Sequence, residues 1–373
     1  MDFTPTEAST DLGGLVRTIT ESVCTPEHQR TLDGLAQRFD RDLWGKLIDA
    51  DVLSTAAPES VGGGGFGVLE QTAVLTALGR QLAAVPYLES AVLGAGALAK
   101  FGSEALQRDW AVPAVNGTKI VTVALDGEMG EGPVQAQDAD GGFRLTGTRT
   151  QVTYGPVADA FLVPAETPSG IQVFLITTDD PGLTVSALDT TGHGSVGHVE
   201  FGGTTVDAAR VVGGQEVLDW LTLHTALGRT AFQLGVLERA LELTAIYARE
   251  REQFDRPIGS FQAVSSRLAD NYIDVKALRS TLTQAAWRLS EDSPASGRDP
   301  QPADIDVASA AFWAAEAGHR VAHTTVHVHG GVGIDMDHPI HRYFLAAKQT
   351  EFALGGATGQ LLRIGRELAD TPV

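Results

Sequence analysis

Apolar positions divide the chain into three stretches of different period. From the start to about residue 110 they recur every three or four residues, the spacing of one helix face. Within 32–53 the stripe is Leu35, Phe39, Leu43, Leu47 and Leu53, and 69–82 and 87–101 repeat it. From about 115 to 210 the apolar runs become short, alternating and rich in Val, Thr and Phe, as at 120–123, 143–146, 160–163 and 173–176, with Gly, Asp and Pro between them. From about 215 the helical period returns in long segments, 220–251, 261–290 and 304–328, with a shorter one at 350–368. Stripes of that length bury one another as a four-helix bundle. The pattern therefore predicts an α+β chain with an N-terminal helical domain over 1–113, a middle antiparallel β domain over 114–213 and a C-terminal four-helix bundle over 214–373.

Composition narrows the possible partners. The 373 residues carry 27 Lys+Arg against 47 Asp+Glu, a formal charge of −20, which excludes nucleic acid, a polyanion bound mainly through Lys and Arg. An apolar fraction of 43% is ample for substantial cores and rules out disorder as the main state. One cysteine, Cys24, can form no internal disulfide, which fits a reducing compartment. The first residues, Met1-Asp2-Phe3-Thr4-Pro5, lack the basic-then-apolar order of a secretory signal. No run of about 18 apolar residues could span a membrane, so the expectation is a soluble cytoplasmic protein.

Two local patterns carry weaker chemistry. Glycines 62 to 65 could cradle a phosphate, but no Gly-Lys-Ser/Thr follows, and they read as a flexible inter-helix loop. His319, His323 and His327 recur every four residues and could share a helix face at zinc-like spacing. No acid completes a His-Glu-x-x-His pattern, so the expectation is no metal, with the histidines bonding across the bundle or lying beside a nucleotide.

The strongest pattern lies at 247–262, Tyr247-Ala248-Arg249-Glu250-Arg251-Glu252-Gln253-Phe254-Asp255-Arg256-Pro257-Ile258-Gly259-Ser260-Phe261-Gln262. It resembles the Y-A-x-x-R-x-Q-F-G-x-P-I-x-x-F-Q signature of acyl-CoA dehydrogenases. His329-Gly330-Gly331-Val332-Gly333, with Pro339, Arg342 and Tyr343 after it, is similar to the family's H-G-G-x-G segment. Pro58-Glu59 and Pro86-Tyr87-Leu88-Glu89-Ser90 extend the resemblance over nearly the whole chain. It implies the acyl-CoA dehydrogenase fold, FAD and a CoA thioester. In that chemistry a carboxylate takes the α-proton while the β-hydride passes to the flavin, so a tuned acid is indispensable.

The positions the resemblance assigns to that acid hold none. The base usually stands twelve residues after the family's equivalent of Arg342 and twelve before that of Arg366, and both counts reach Leu354, followed by Gly355 and Gly356. Members that carry it on the first bundle helix place it 29 residues before Phe254, which is Thr225, and the position of the orienting Arg is Ala226. The flavin-ring segments also depart from the family. Val123 to Gly132 lacks Gly-Ser-Asp, and where a Trp-Ile-Thr is expected the chain reads Gln151-Val152-Thr153, leaving Thr153 as a contact.

The residues that in this family reach a neighbour's FAD are kept. They are Arg251, Gln253, Phe254, Ile258, Gly330 and Gly331, with His327 where Gln is common. The resemblance is closest to the non-catalytic, β-type subunit of actinobacterial heterotetrameric steroid (cholesterol) side-chain acyl-CoA dehydrogenases. It implies an α2β2 assembly in which a homologous catalytic subunit binds most of the acyl-CoA and shares its FAD with this chain. Two alternatives stay open. One is an active homomeric dehydrogenase with a displaced base, Glu351, or more weakly Glu238 or Glu242; the other is a scaffold without FAD.

Overall fold

A computed structural model describes residues 3–125, 127, 131–291 and 303–370. At the amino end the helices are shorter than the apolar stripes suggest. Helix α1 spans Glu7–Val23, capped by Thr6, whose hydroxyl accepts from the Ser9 N–H at 3.0 Å. Then come α2 (Pro26–Asp33), α3 (Arg41–Asp49) and α4 (Val52–Thr55), so the 32–53 stripe is cut into three pieces. Asp40 makes the first cut, because its buried carboxylate accepts from the Leu43 N–H at 3.0 Å and starts a new helix. Asp51 makes the second by taking a left-handed conformation, φ 55°. After α5 (Val68–Arg80) the chain winds through wide π turns at Tyr87–Gly94 and Gln107–Ala111, with α6 (Ala95–Phe101), α7 (Glu104–Leu106) and α8 (Val112–Val115) around them.

The glycine run is packed rather than flexible. The N–H groups of Gly62, Gly63, Gly64 and Gly65 donate to the carbonyls of Glu59, Pro58, Ser54 and Ala57. A Cβ at Gly63 would lie 2.1 Å from the Ala57 oxygen. With those donors spent, the loop has none left to cradle a phosphate.

The β stretch forms one eight-stranded sheet from β1 (Val121–Val123), β2 (Val134–Ala139), β3 (Gly142–Thr153), β4 (Ala160–Thr167), β5 (Gly170–Thr177), β6 (Leu183–Leu188), β7 (Val196–Asp207) and β8 (Val211–Gly213). The order is β6-β7-β3-β2-β4-β5-β8, with β1 also against β4. Pairing is mostly antiparallel, as alternation predicts, but β1 and β2 run parallel to β4. Ala160 to Ala165 of β4 are all buried, the near-continuous apolar strand of a sheet covered on both faces.

The carboxyl-terminal stretch contains α9 (Gln215–Glu250), a short hairpin of β9 (Glu252–Gln253) and β10 (Arg256–Pro257), then α10 (Gln262–Glu291), α11 (Asp304–His329), α12 (Ile340–Ala353) and α13 (Gly356–Asp370). The 350–368 segment, expected as one helix, breaks at Leu354-Gly355, where Gly355 and Gly356 take φ 76° and 66° and turn the chain as left-handed helix ends do.

Two units emerge from the pattern of contacts, and they divide the expected N-terminal helical segment. One comprises Met1–Pro26, Val68–Ala83 and Ala226–Val373; the other comprises Glu27–Gly67 and Ala84–Thr225. Helix α5 goes with the bundle because glycines let it touch α9. A Cβ at Gly79 would stand 2.1 Å from the Phe232 oxygen, and one at Gly235 2.0 Å from the Thr76 oxygen. Inside the bundle the fully buried Gln233 ties α9 to α12 by donating to the Ala347 carbonyl at 3.0 Å. No helix among the described residues is long and apolar enough to cross a membrane.

Candidate functional site

The end of α9 turns directly into the β9–β10 hairpin. Its register, Gln253 opposite Arg256 and Glu252 opposite Pro257, leaves Phe254 and Asp255 as a two-residue turn, both with positive φ, 54° and 61°. Such turns suit Asn-Gly, and a phenylalanine there is strained. It is also 87% exposed, its ring set edge-to-face with Phe261 with centroids 6.1 Å apart. Arg251 is held by its backbone, its N–H donating to Tyr247 and its carbonyl accepting from Ile258, both at 2.8 Å. Its side chain is exposed and makes no ion pair among the described residues, neither with Glu250 nor with Glu252.

The glycine segment leaves the bundle at the same end. The rings of Tyr247 and His329 stack with centroids 4.3 Å apart; Arg251 lies one turn beyond Tyr247 and Gly330 next to His329 in the chain. Gly330 has φ 62° and ψ −135°, a region closed to side chains, and a Cβ on Gly330 or Gly331 would meet nothing within 4 Å among the described residues. His327 is exposed beside them. His329 is buried, its Nδ1–H donating to the Thr325 carbonyl at 2.8 Å, and burial holds it below the ordinary histidine value. The Tyr247–His329 stack escapes sequence reading because it joins two distant helices.

Leu354 is buried at the α12–α13 break, its N–H donating to Thr350 at 3.0 Å and its carbonyl accepting from Gln360. The preceding carbonyl, Ala353, accepts from the Arg229 guanidinium at 2.8 Å. Thr225 is buried too, and its hydroxyl has no hydrogen-bond partner among the described residues.

The three acids offered as displaced bases are all held by cations. Glu351 lies 2.6 Å from Lys348 Nζ and 3.2 Å from His319 Nδ1, and is 15% exposed rather than freely solvated. Glu238 is bonded by Arg80 at 3.2 Å and by Arg279. Glu242 is bonded by Arg80 at 2.8 Å and Arg239 at 3.0 Å. Burial pushes the Glu242 carboxyl up, but Arg239 and Arg80 outweigh it and leave it below the usual carboxylate range.

Of the histidine row, His319 and His323 lie with ring centroids 4.5 Å apart, and Lys348 Nζ stands 3.1 Å from His319 Nδ1, where its charge opposes a bound cation. Burial, with His319 and Lys348 nearby, holds His323 below the ordinary value. No three His, Cys, Asp or Glu side chains converge as a metal site among the described residues.

Of the flavin-ring segment 123–132, residues 126 and 128–130 lie outside the described residues. Thr153 ends β3, its carbonyl accepting from the Thr122 hydroxyl at 2.7 Å, and Gln151 is exposed. A titratable group that sequence reading missed is His224. It is stacked on Trp220 at 3.9 Å, its Nδ1–H donates to the Trp220 carbonyl at 2.8 Å, and burial pushes it down to about 4.

Residues 213–369 match the acyl-CoA dehydrogenase C-terminal domain and residues 6–118 the acyl-CoA dehydrogenase N-terminal domain. Over 372 residues the chain is 75% identical to acyl-CoA dehydrogenase FadE27 of Mycobacterium tuberculosis, with 100% of both chains covered. It superposes on a chain of the ChsE4–ChsE5 complex from Mycobacterium tuberculosis with a TM-score of 0.96, at 74% identity and 100% coverage of both. A chain of the Tcur3481–Tcur3483 steroid ACAD is similar at 37% identity, with a TM-score of 0.90 and 98% of each chain covered.

Proposed function

The chain belongs to the acyl-CoA dehydrogenase family, and from that premise we propose that it is the β-type, non-catalytic subunit of a heteromeric FAD-dependent acyl-CoA dehydrogenase. One contrast within the bundle carries the reading. Leu354 and Thr225 stand where the resemblance puts the family's base, and Glu351, Glu238 and Glu242 are held by cations, yet Arg251, Phe254 and Gly330-Gly331 are exposed and uncommitted among the described residues. A chain that keeps only the groups serving a neighbour's cofactor is one half of a shared site.

The open glycine segment fits a diphosphate, which needs close backbone approach. Arg251 supplies a planar, always charged fork for it. Phe254 and Ile258 pack against the nucleotide, Gln253 and His327 offer hydrogen bonds, and Gly330 and Gly331 admit the phosphates. Bound FAD would supply the hydride acceptor for the β-carbon, and the carboxylate for the α-proton would come from the homologous catalytic subunit. That subunit also binds most of the acyl-CoA. The names of two similar structures, a two-component complex and a steroid ACAD, favour a heteromeric assembly and a steroid acyl-CoA as substrate; the α2β2 count and the side chain are what the family resemblance implies. In this reading 1–113, 114–213 and 214–373 are the three domains.

The test is the flavin absorbance and native mass of the chain purified alone and after co-expression with the acyl-CoA dehydrogenase encoded beside it. The expected result is colourless protein alone and a yellow tetramer with about one FAD per heterodimer. A yellow homotetramer that passes electrons from acyl-CoA to an acceptor would refute the proposal and make Glu351 the residue to examine.

A further inference from the structure

Helices α1 and α10, with α5 and α9, line an open groove of about 660 Å³, the size of a small-molecule site. From α1 it takes Thr6, Ser9, Thr10, Gly13, Gly14 and Arg17, and from α10 Arg279, Leu282, Thr283, Ala286, Trp287 and Ser290. Both sets step by three or four residues, so each is one continuous helix face with a rise of about 16 Å. Phe3 meets Trp287 edge-to-face with ring centroids 5.7 Å apart, which sets the start of the α1 stripe against the end of the α10 stripe. The stripes therefore run antiparallel, and Arg17 and Arg279 stand at the end away from the aromatic pair.

Most polar groups of the walls are spent within the chain. The hydroxyls of Ser9, Thr10, Thr72, Thr283 and Ser290 each donate to a backbone carbonyl about one turn back, and that of Thr6 donates to the buried Glu70 at 2.7 Å. Glu238, the one acid in the lining, is bonded by Arg80 and Arg279. Arg17 differs from all of these. It is exposed, and its guanidinium makes no hydrogen bond or ion pair among the described residues. In a chain of formal charge −20, this lining holds two arginines against one acid. Between the two ends Leu69, Ala73, Leu234, Leu282 and Ala286 present carbon, and a Cβ at Gly14 would meet nothing within 4 Å.

We propose that this groove binds a hydrophobic carboxylate, with its hydrocarbon body along the apolar walls toward Trp287 and its anionic end on Arg17. A guanidinium offers a carboxylate two parallel N–H donors, and the low polarity of the walls favours a ligand whose other end has nothing to hydrogen-bond. One free cation calls for one anionic group. A fatty acid and a fused-ring acid share this chemistry and both suit a groove of that length. The proposal is separate from the sharing of FAD, since none of these residues belongs to the hairpin or the glycine segment.

The full chain purified alone and the co-purified complex would be titrated with dodecanoate and with deoxycholate, below micelle formation, by calorimetry and tryptophan fluorescence. The expected result is saturable binding of at least one of the two, with a fluorescence change that Trp287→Phe removes. Tighter binding of dodecanoate would identify a flexible chain as the ligand body, and of deoxycholate a ring system. Arg17→Gln should weaken binding about tenfold or more, since a charge-assisted pair is lost. Gly14→Leu places its side chain in open space, so it should fold as the parent does in urea melts and block the groove. Neither variant should change the FAD bound to the complex. No saturable binding of either probe, or binding that Arg17→Gln or Gly14→Leu leaves unchanged, would overturn the proposal.

Discussion

Phe254→Gly separates what the hairpin tip does for this chain from what it does for an assembly. At φ 54° the phenylalanine occupies a left-handed conformation that costs an ordinary residue about 1–2 kcal/mol. Glycine removes that strain but loosens the unfolded chain, which returns about 0.4–1 kcal/mol. At 87% exposure the ring buries little in its own chain, so its loss costs almost nothing there. The free subunit should be unchanged or up to about 1 kcal/mol more stable, read from urea denaturation. In the complex the same ring would be covered by a nucleotide and a neighbouring subunit. Full burial of a phenyl side chain is worth about 2 kcal/mol, or roughly a 30-fold loss of FAD affinity, read by titrating the flavin-stripped complex. The two readouts move in opposite directions. A free chain destabilised by more than about 1 kcal/mol with FAD affinity intact would show that Phe254 packs for its own fold, and the placement argument would fail.

Arg251→Ala should lower FAD occupancy about tenfold or more by removing a charge-assisted contact, and Arg251→Lys should recover only part of it, because an ammonium lacks the planar fork. Glu351→Gln should leave turnover of the complex nearly intact; a large loss with FAD retained would revive the displaced base. His224 is pushed below its ordinary value of 6.5 to about 4, so its contribution is present in full above about pH 6.5 and is lost as pH falls toward 4, on the order of 3 kcal/mol. His224→Phe, which keeps the stack on Trp220, should flatten that slope between about pH 7 and about pH 5 in urea melts. Gly235→Ala would drive a methyl to 2.0 Å from the Thr76 oxygen and should destabilise by about 2 kcal/mol or more, despite the better helix propensity of alanine.

What the sequence made legible was periodic. The three textures, the long bundle helices and the 247–262 motif are local repeats, and they fall where the stripes and spacing put them. The helix breaks did not show, because each depends on one residue acting against the period: Asp40 capping with its side chain, Asp51 turning left-handed, Gly355 and Gly356 ending α12. The ion pairs were hidden for another reason. Glu351 meets His319 and Glu238 meets Arg80 only because separate helices pack together, and apolar spacing reads one helix at a time. So the motif half of the site was readable and its electrostatic setting was not.

That setting separates the candidate bases from the hairpin end of the bundle on physical grounds. A general base has to accept a proton with its oxygens free to reach it. Glu351, Glu238 and Glu242 would each have to surrender bonds to Lys or Arg before doing so. At the hairpin the imbalance is reversed. This chain has 47 acidic side chains against 27 basic ones, and Arg251 lies between two of the acids in sequence, yet its guanidinium makes no ion pair among the described residues. Arg80, Arg279 and Arg320 find acidic partners within the chain. Arg251 ends α9 beside a hairpin whose turn holds a strained and exposed phenylalanine. Under the proposed function the anion that completes it is a diphosphate held by a neighbouring subunit, which would meet the charge and the planarity of the guanidinium together.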